Sequence, residues 1–310
     1  MLELKTKTAL SGLILLNKKP GVTSFEALGE IKRALGTGKV GHTGTLDKFA
    51  CGLLVILAGR ALKLSPWFSH CDKKYVGKIR FGEETDTLDP EGKKTAHAPP
   101  PLREDVEKAL PQFTGDILQA PPEYSAIHVN GKRASDLARK GQMPEMKKRP
   151  VTVYRLELRG WQPPYAEIFV HCSSGTYIRS LARDIALAAG SRAYLCELTR
   201  TQVAGFTLED AEGTQNEQPD RFSPLPITKQ VINALNLPWF DIAHDETEKI
   251  IHGKPLEPIL EGKPFFSQGE VSPVGEGDFS AAVFDGQTLA AVVERADGKW
   301  NYRCVLLTDA

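Results

Sequence analysis

An α+β fold, with helices set irregularly among strands, is what this sequence predicts, on three observations. Segments with strand periodicity, such as Lys74 to Gly82, are interspersed with helical segments, without the repeated strand-helix-strand spacing of a doubly wound sheet. No Gly-rich phosphate loop of the Walker or dinucleotide kind is present. Residues 238–310 carry further β-like runs and form a second, smaller module after a first of residues 1–237.

Taken in order, the elements follow from local chemistry. Lys5 and Lys7 before Thr8 to Leu16 imitate a secretory signal. The run ends in Asn17-Lys18-Lys19-Pro20 and not in a small-residue cleavage site, so a buried strand is expected. Thr23-Ser24-Phe25-Glu26 is a capping box, after which Phe25, Leu28, Ile31 and Leu35 keep helical spacing until Gly36 ends the helix. Cys51 to Gly59 is a short apolar run, read as a buried strand. In Lys74 to Gly82, Tyr75, Ile79 and Phe81 share one face while Lys78 and Arg80 take the other. Tyr124 to Val129 also reads as a strand, with Asn130-Gly131 as its tight turn. Val151 to Leu158 and Ala166 to Cys172 are further strands. Past Gly175, the residues Ile178, Leu181, Ala182, Ile185, Ala188 and Ala189 trace one helix face that stops at Gly190. Tyr177 and Arg179 flank core-facing Ile178 in its first turn, so both reach a cleft. Glu212 to Pro226 reads as a surface loop, and Ala281 to Phe284, Leu289 to Glu294 and Tyr302 to Leu307 as strands.

Formal net charge is zero over 310 residues, yet its distribution is uneven. Residues 1–200 hold 31 Lys/Arg against 21 Asp/Glu, and residues 201–310 hold 8 against 18, so +10 is followed by −10. A basic two-thirds joined to an acidic third is the asymmetry expected where one part meets a polyanion. Basic residues are densest from Lys132 to Arg149, where Lys132, Arg133, Arg139, Lys140, Lys147, Lys148 and Arg149 face only Asp136 and Glu145. This is a candidate phosphate-contacting surface, in competition with an ordinary solvated helix face. Five cysteines without a C-x-x-C pair suggest neither a disulfide framework nor a zinc ribbon, and fit a reducing cytoplasm. No metal is expected from the His and Cys spacings, and no run approaches the length of a membrane span.

The stretch Lys39-Val40-Gly41-His42-Thr43-Gly44-Thr45-Leu46-Asp47 concentrates the chemistry. It suspends one carboxylate on a loop of small, hydroxyl-bearing and glycine residues beside a core strand. Gly41 and Gly44 are read as permitting unusual backbone angles and close approach of a ligand, and Thr43 and Thr45 as holding the turn. A polar loop on a rigid element is where sites sit.

Gly41 to Asp47 resembles the central motif of the TruB family of tRNA pseudouridine synthases. The resemblance continues through Leu16 to Ser24, Lys74-Tyr75, Thr85 to Gly92, Gln119 to Ile127, Cys172 to Arg179 and Leu198 to Thr201, in the family's order. It implies a central, mainly antiparallel mixed sheet with a cleft across its face, and a C-terminal PUA-like domain. It implies isomerisation of a T-loop uridine, conventionally numbered 55, without cofactor or metal. Asp47 is then the catalyst, either as nucleophile on sugar or uracil or as base at the 2′ carbon, alternatives the sequence leaves open. Arg179 matches the residue that pairs with this Asp, and Tyr75 the one that stacks on the target base and assists removal of the C5 proton. Tyr177 and Leu198 match residues lining the uracil pocket. His42 matches the residue that fills the space vacated by a flipped base. Gly41, Thr43, Lys18, Lys132, Lys148 and Arg149 complete the expected substrate-binding set. The implied partner is the T-arm of tRNA, met by a cytoplasmic monomer with no required protein partner and no membrane.

Two departures from the family pattern stand out. Lys48-Phe49-Ala50-Cys51 replaces the common Pro-Leu-Ala-Thr, altering packing beside the loop. Arg200 is retained where Thr199 replaces a second basic residue, so one expected phosphate contact is missing. Two other functions compete with the enzyme: an RNA-folding helper, and a guide-RNA-dependent pseudouridylase. A complete Asp47, Tyr75 and Arg179 set disfavours the first, and an acidic C-terminal third the second.

Overall fold

The computed structural model of the protein describes residues 11–129, 131–142, 145–211, 222–260, 263, 265–267, 270–272 and 278–307. Its first sheet has nine strands. These include β1 (Gly12–Lys18), β2 (Val40–His42), β3 (Cys51–Ala58) and β4 (Lys73–Phe81). Small ladders follow: β5 (Glu83–Thr85) with β6 (Lys94–His97), and, beyond β7 (Gly115–Gln119), β8 (His128–Val129) with β9 (Lys132–Arg133). The large sheet is completed by β10 (Arg149–Gln162), β11 (Tyr165–Cys172), β12 (Ala193–Val203) and β13 (Phe206–Thr207). Strand order is β1-β3-β12-β4-β11-β10-β7, with β2 on β3 and β13 on β12.

Every pairing in this sheet is antiparallel except β3 with β12, which meet in parallel at Cys51 to Thr199 and Gly52 to Arg200. The parallel junction demands glycine. Gly52 has φ +99°, and a Cβ there would lie 2.4 Å from the Arg200 carbonyl oxygen. The sheet is thus mixed and mainly antiparallel, as expected.

Helix α1 (Ser24–Leu35) starts at the expected capping box: Thr23 accepts from the Glu26 amide, and Glu26 accepts from that of Thr23. It ends at Gly36 in the left-handed conformation. The expected apolar face needs one correction. Phe25 is 77% exposed, and the smaller Ser24 and Ala27 are buried with Leu28 and Ile31. Helix α2 (Ser65–His70) leads into β4, and α3 (Arg103–Ala109) and α4 (Ala134–Arg139) lie within the later connections. Helix α5 (Ile178–Ala188) lays Ile178, Leu181, Ala182 and Ile185 onto a core that includes Ile79, Phe81, Ile168 and Val170. Each of the three larger side chains contributes roughly 1.5–3 kcal/mol on burial, which fixes the helix start against the sheet.

Two further expectations change. The strand read over Tyr124 to Val129 shrinks to His128–Val129, because residues 124–127 turn to satisfy partners elsewhere. Ser135 donates its amide to the Ser125 carbonyl, and Ala134 to that of Ile127. Asn130 lies outside the described residues, while Gly131 has the positive φ of +77° that suits a two-residue turn. Of the loop read from Glu212 to Pro226, residues 212–221 lie outside the described residues. The remainder is no surface loop: Phe222 is buried in the main core and Leu225 bonds to Leu13 through both backbone groups.

A second, six-stranded sheet occupies the C-terminal part, built from β14 (Trp239–Ile242), β15 (Phe265–Ser267), β16 (Glu270–Ser272), β17 (Phe279–Asp285), β18 (Thr288–Ala296) and β19 (Lys299–Val305). The last three overlap the expected strands, the third beginning at Lys299 and ending at Val305 instead of running from Tyr302 to Leu307. Apolar packing joins the sheets, with Phe68 and Phe206 in one cluster with Trp239 and Phe284. Lys63 and Arg60 donate across the junction to the carbonyls of Val305 at 2.7 Å and Leu306 at 3.1 Å. No helix of the described residues is long and apolar enough to cross a membrane.

Candidate active site

Asp47 lies on the loop between β2 and β3, and that loop is tied down at nearly every turn. Thr43 donates its amide to the Val55 carbonyl at 3.0 Å, and Ser24 of α1 both accepts from the Leu46 amide and donates to its carbonyl. Arg200, only 2% exposed, donates through Nε to the Leu53 carbonyl at 2.7 Å and through Nη2 to that of Gly44 at 3.1 Å. Gly41 and Gly44 turn out not to supply left-handed angles. Gly41 instead makes room for Leu62, whose Cδ2 would lie 2.9 Å from a Cβ.

Arg179 reaches Asp47 from the start of α5. Its Nε lies 2.8 Å from Oδ2, and Nη2 donates to Oδ1 at 3.2 Å. The remaining donors go to the carbonyls of Thr87 at 2.7 Å and Tyr124 at 3.1 Å and to the Asp89 carboxylate at 3.2 Å. The four N–H groups of Nη1 and Nη2 are therefore hydrogen-bonded while Nε makes a close ionic contact with Asp47, and the planar fork holds Asp47 in one orientation. The Asp47 side chain keeps 35% of its surface exposed, whereas that of Arg179 keeps 5%. A fixed carboxylate thus faces open space with its cation buried behind it.

That space is a cavity of 310 Å³. Thr43, Asp47, Tyr75, Tyr177, Arg179 and Leu198 all line it, so the structure gathers these sequence-predicted residues from four separated segments. Tyr75, 8% exposed, stands opposite Arg200 in the β4–β12 register. Burial holds its phenol above the usual range, so it stays protonated at neutral pH. Tyr177 is likewise raised by burial. Its backbone is clamped by Gln119, which accepts from the Tyr177 amide at 2.8 Å and donates to its carbonyl at 3.1 Å.

Gly41 and His42 sit on β2, outside the cavity wall. His42 is half-buried with Nδ1 unpartnered, and burial followed by the Arg200 charge lowers its pKa, leaving a neutral ring. Lys18 is a correction. It is 1% exposed and its ammonium donates to the carbonyls of Val22 at 2.6 Å, Ala50 at 2.6 Å and Lys19 at 3.1 Å. With three donors spent, it braces the chain beyond Asp47 and has none for a substrate. Lys132, Lys148 and Arg149 are exposed and lie outside the cavity. Arg149 is near enough for its charge to act on the Tyr177 phenol.

Sequence reasoning missed four residues here. Arg200, noted only as the retained basic residue of its motif, is a buried brace of the Asp47 loop. Asp89 is the second carboxylate on Arg179, pushed above the ordinary carboxylate range by burial. Gln119 orients Tyr177. Lys73 is a buried cation on the cavity wall. Asp89 and Gln119 fall in the resemblance blocks, but only their burial reveals a task.

Comparison with known proteins agrees with this geometry. The TruB family pseudouridylate synthase N-terminal domain matches residues 32–178. The tRNA pseudouridine synthase B of Borreliella burgdorferi (strain ZS7) is 46% identical over 211 residues, covering 66% of this chain and 74% of that protein. That of Francisella tularensis subsp. tularensis is 34% identical over 300 residues, covering 95% and 94%. Among solved structures, a Cbf5-Nop10-Gar1 complex aligns with TM-score 0.69 at 23% identity, covering 97% of this chain and 86% of that one. An H/ACA RNP bound to a substrate RNA containing 2′-deoxyuridine gives 0.65 at 21%, covering 97% and 85%. These two likenesses show the fold alone, a mixed sheet with a β-rich C-terminal part. Because one relative matches along nearly the whole length and the matched domain runs from α1 through the Asp47 loop to the start of α5, the chain belongs to the TruB family of pseudouridylate synthases.

Proposed function

We propose that the protein isomerises the T-loop uridine at position 55 of tRNA to pseudouridine. The observation that carries this reading is Asp47: one carboxylate, oriented by a buried arginine, at the wall of a cavity that also presents Tyr75. Uridine isomerisation breaks the N1 glycosidic bond, turns the uracil and joins C5 to the same sugar carbon. It is redox-neutral and needs no cofactor. Asp47 acts on the nucleoside as nucleophile or as base at the 2′ carbon. Arg179 keeps it ionised and aimed as the RNA dries the cavity. Tyr75 stacks on the uracil, and its protonated phenol is suited to assist departure of the C5 proton only by relay. Tyr177, Leu198 and Thr43 enclose the flipped base, and neutral His42 fills the gap it leaves, with Gly41 leaving room beside it. Lys132, Lys148 and Arg149 contact backbone phosphates of the T-arm. In this reading residues 1–237 form the catalytic domain and 238–310 a PUA-like domain, in a cytoplasmic monomer that needs no protein partner.

The test is tritium release from unmodified tRNA labelled at uridine C5, with wild type, with Asp47→Asn, and with a transcript carrying cytidine at the T-loop position. Release by wild type alone, lost with either change, is the expected result. Tight tRNA binding without release overturns the reading in favour of a binding role.

A further inference from the structure

Three buried cations line the cavity: Arg179, Arg200 and Lys73. Arg179 is spent on two carboxylates and two carbonyls, and Arg200 braces the carbonyls of the Asp47 loop. Lys73 differs. It is the first residue of β4, two before Tyr75 and hence on the same face of the strand. Its side chain turns to the C-terminal end of α2, where it donates to the carbonyls of Ser69 at 2.8 Å and Cys71. An ammonium has three donors, so one remains. No carboxylate among the described residues forms a salt bridge with it, although buried charges are ordinarily paired. The groups that act on it are Cys71 and Asp72 in the preceding turn, Cys172 on β11 and Arg200 on β12.

We propose that Lys73 supplies the countercharge for the uracil that departs from the ribose, its free N–H directed to a uracil carbonyl oxygen. This deepens the reading above and rests on it. When the N1–C1′ bond breaks heterolytically, its electron pair stays on the base, and negative charge spreads over N1 and the two carbonyl oxygens. A fixed donor in a dry cavity stabilises that charge more than it stabilises the neutral bound uridine, so it lowers the barrier without tightening ground-state binding. When the base has turned and C5 joins C1′, the pair returns to a bond and the charge is discharged, and the C5 proton then leaves to solvent while N1, freed from the sugar, takes up a proton from it. The two carbonyls keep the ammonium in place while the base turns beneath it.

Burial, with Arg200 adding repulsion, brings the Lys73 ammonium down to about 8. The sign follows directly: the group is charged below that value and neutral above it. Single-turnover tritium release by wild-type protein on saturating tRNA should therefore fall about tenfold per pH unit above roughly 8. Lys73→Met should lower the single-turnover rate about a hundredfold at pH 7. Its apparent tRNA affinity should be unchanged and its profile should lack the fall above 8. A wild-type rate that stays level through pH 9, or a folded Lys73→Met protein that retains the wild-type rate, overturns the proposal. If Lys73→Met does not fold, the wild-type profile decides alone. Absence of release by wild type at every pH would instead remove the function proposed above, so the two failures are distinct.

Discussion

The Asp47 loop and the segment from Tyr124 to Arg149 are both irregular and both border the cavity region, yet they are built on opposite terms. In the first, Ser24, Arg200, Lys18 and the Val55 backbone hold successive residues, and three of those four partners are buried side chains. In the second, a two-residue ladder and the six-residue α4 present Lys132, Arg133, Arg139 and Lys140 to solvent, with one exposed pair of 3.5 Å between Arg139 and Asp136. Its first residues meet the site, the Tyr124 carbonyl accepting from Arg179 and Ser125 and Ala126 lining the cavity, while its basic side chains stay outside. Chemistry at one carbon demands a fixed carboxylate, because small misplacements cost large factors in rate. Phosphate contacts demand only charge at the right distance and gain from adaptable side chains.

This contrast breaks most sharply at Asp47. Asp47→Asn keeps the loop's shape and should cut tritium release by about a thousandfold or more, while circular dichroism and tRNA affinity stay near wild type. Stability should respond most at Arg179. Arg179→Met leaves Asp89 buried and unpaired, and urea unfolding should show a loss of about 3–5 kcal/mol. Adding Asp89→Asn should recover part of it, a coupling that independent sites would not show. Gly52→Ala forces a side chain into φ +99° and against the Arg200 carbonyl. A loss of roughly 3 kcal/mol is expected, with a lower rate as Arg200 releases the Asp47 loop.

Lys73 adds a pH signature. In the unfolded chain it titrates near its ordinary 10.5 and in the fold near 8, so the unfolded state binds more protons between those values. Its protonation opposes folding fully below about 8, and that cost, up to roughly 3 kcal/mol, is relieved as pH rises toward 10.5. Unfolding free energies of wild type and Lys73→Met, compared across that interval, should converge or cross as pH increases. The smallest effect belongs to the basic segment. Lys147→Ala, Lys148→Ala and Arg149→Ala together should weaken tRNA binding severalfold and lower the salt slope by about one per lost phosphate contact, with the single-turnover rate at saturation unchanged. An unaltered slope would make these residues ordinary solvated surface.

Much of the fold was legible because its signals are local. The Thr23 to Glu26 box and Gly36 bracket α1 through bonds within four residues, and alternation in β4 reports which side faces the core. Residues 124–127 differ for the opposite reason: their carbonyls accept from Arg179 and from the start of α4, outside any strand pairing, which no period records. Phe25 failed similarly, since apolar spacing names a stripe but not whether a core covers its end.

Asp47 stands out in the sequence by its loop, and Tyr75, Tyr177, Arg179 and Leu198 were identifiable through the family resemblance. What the sequence could not assign is how buried polar groups divide their donors. In the sequence Lys18 and Arg200 are positive charges within family motifs, no different in kind from the exposed lysines near 148. Only tertiary structure decided that Lys18 and Arg200 spend theirs on loop carbonyls, that Asp89 and Asp47 share Arg179, and that Lys73 keeps one N–H in hand. The reason is physical: the cost of burying a charge is set by partners that are distant in sequence, and those partners exist only once the sheet has closed.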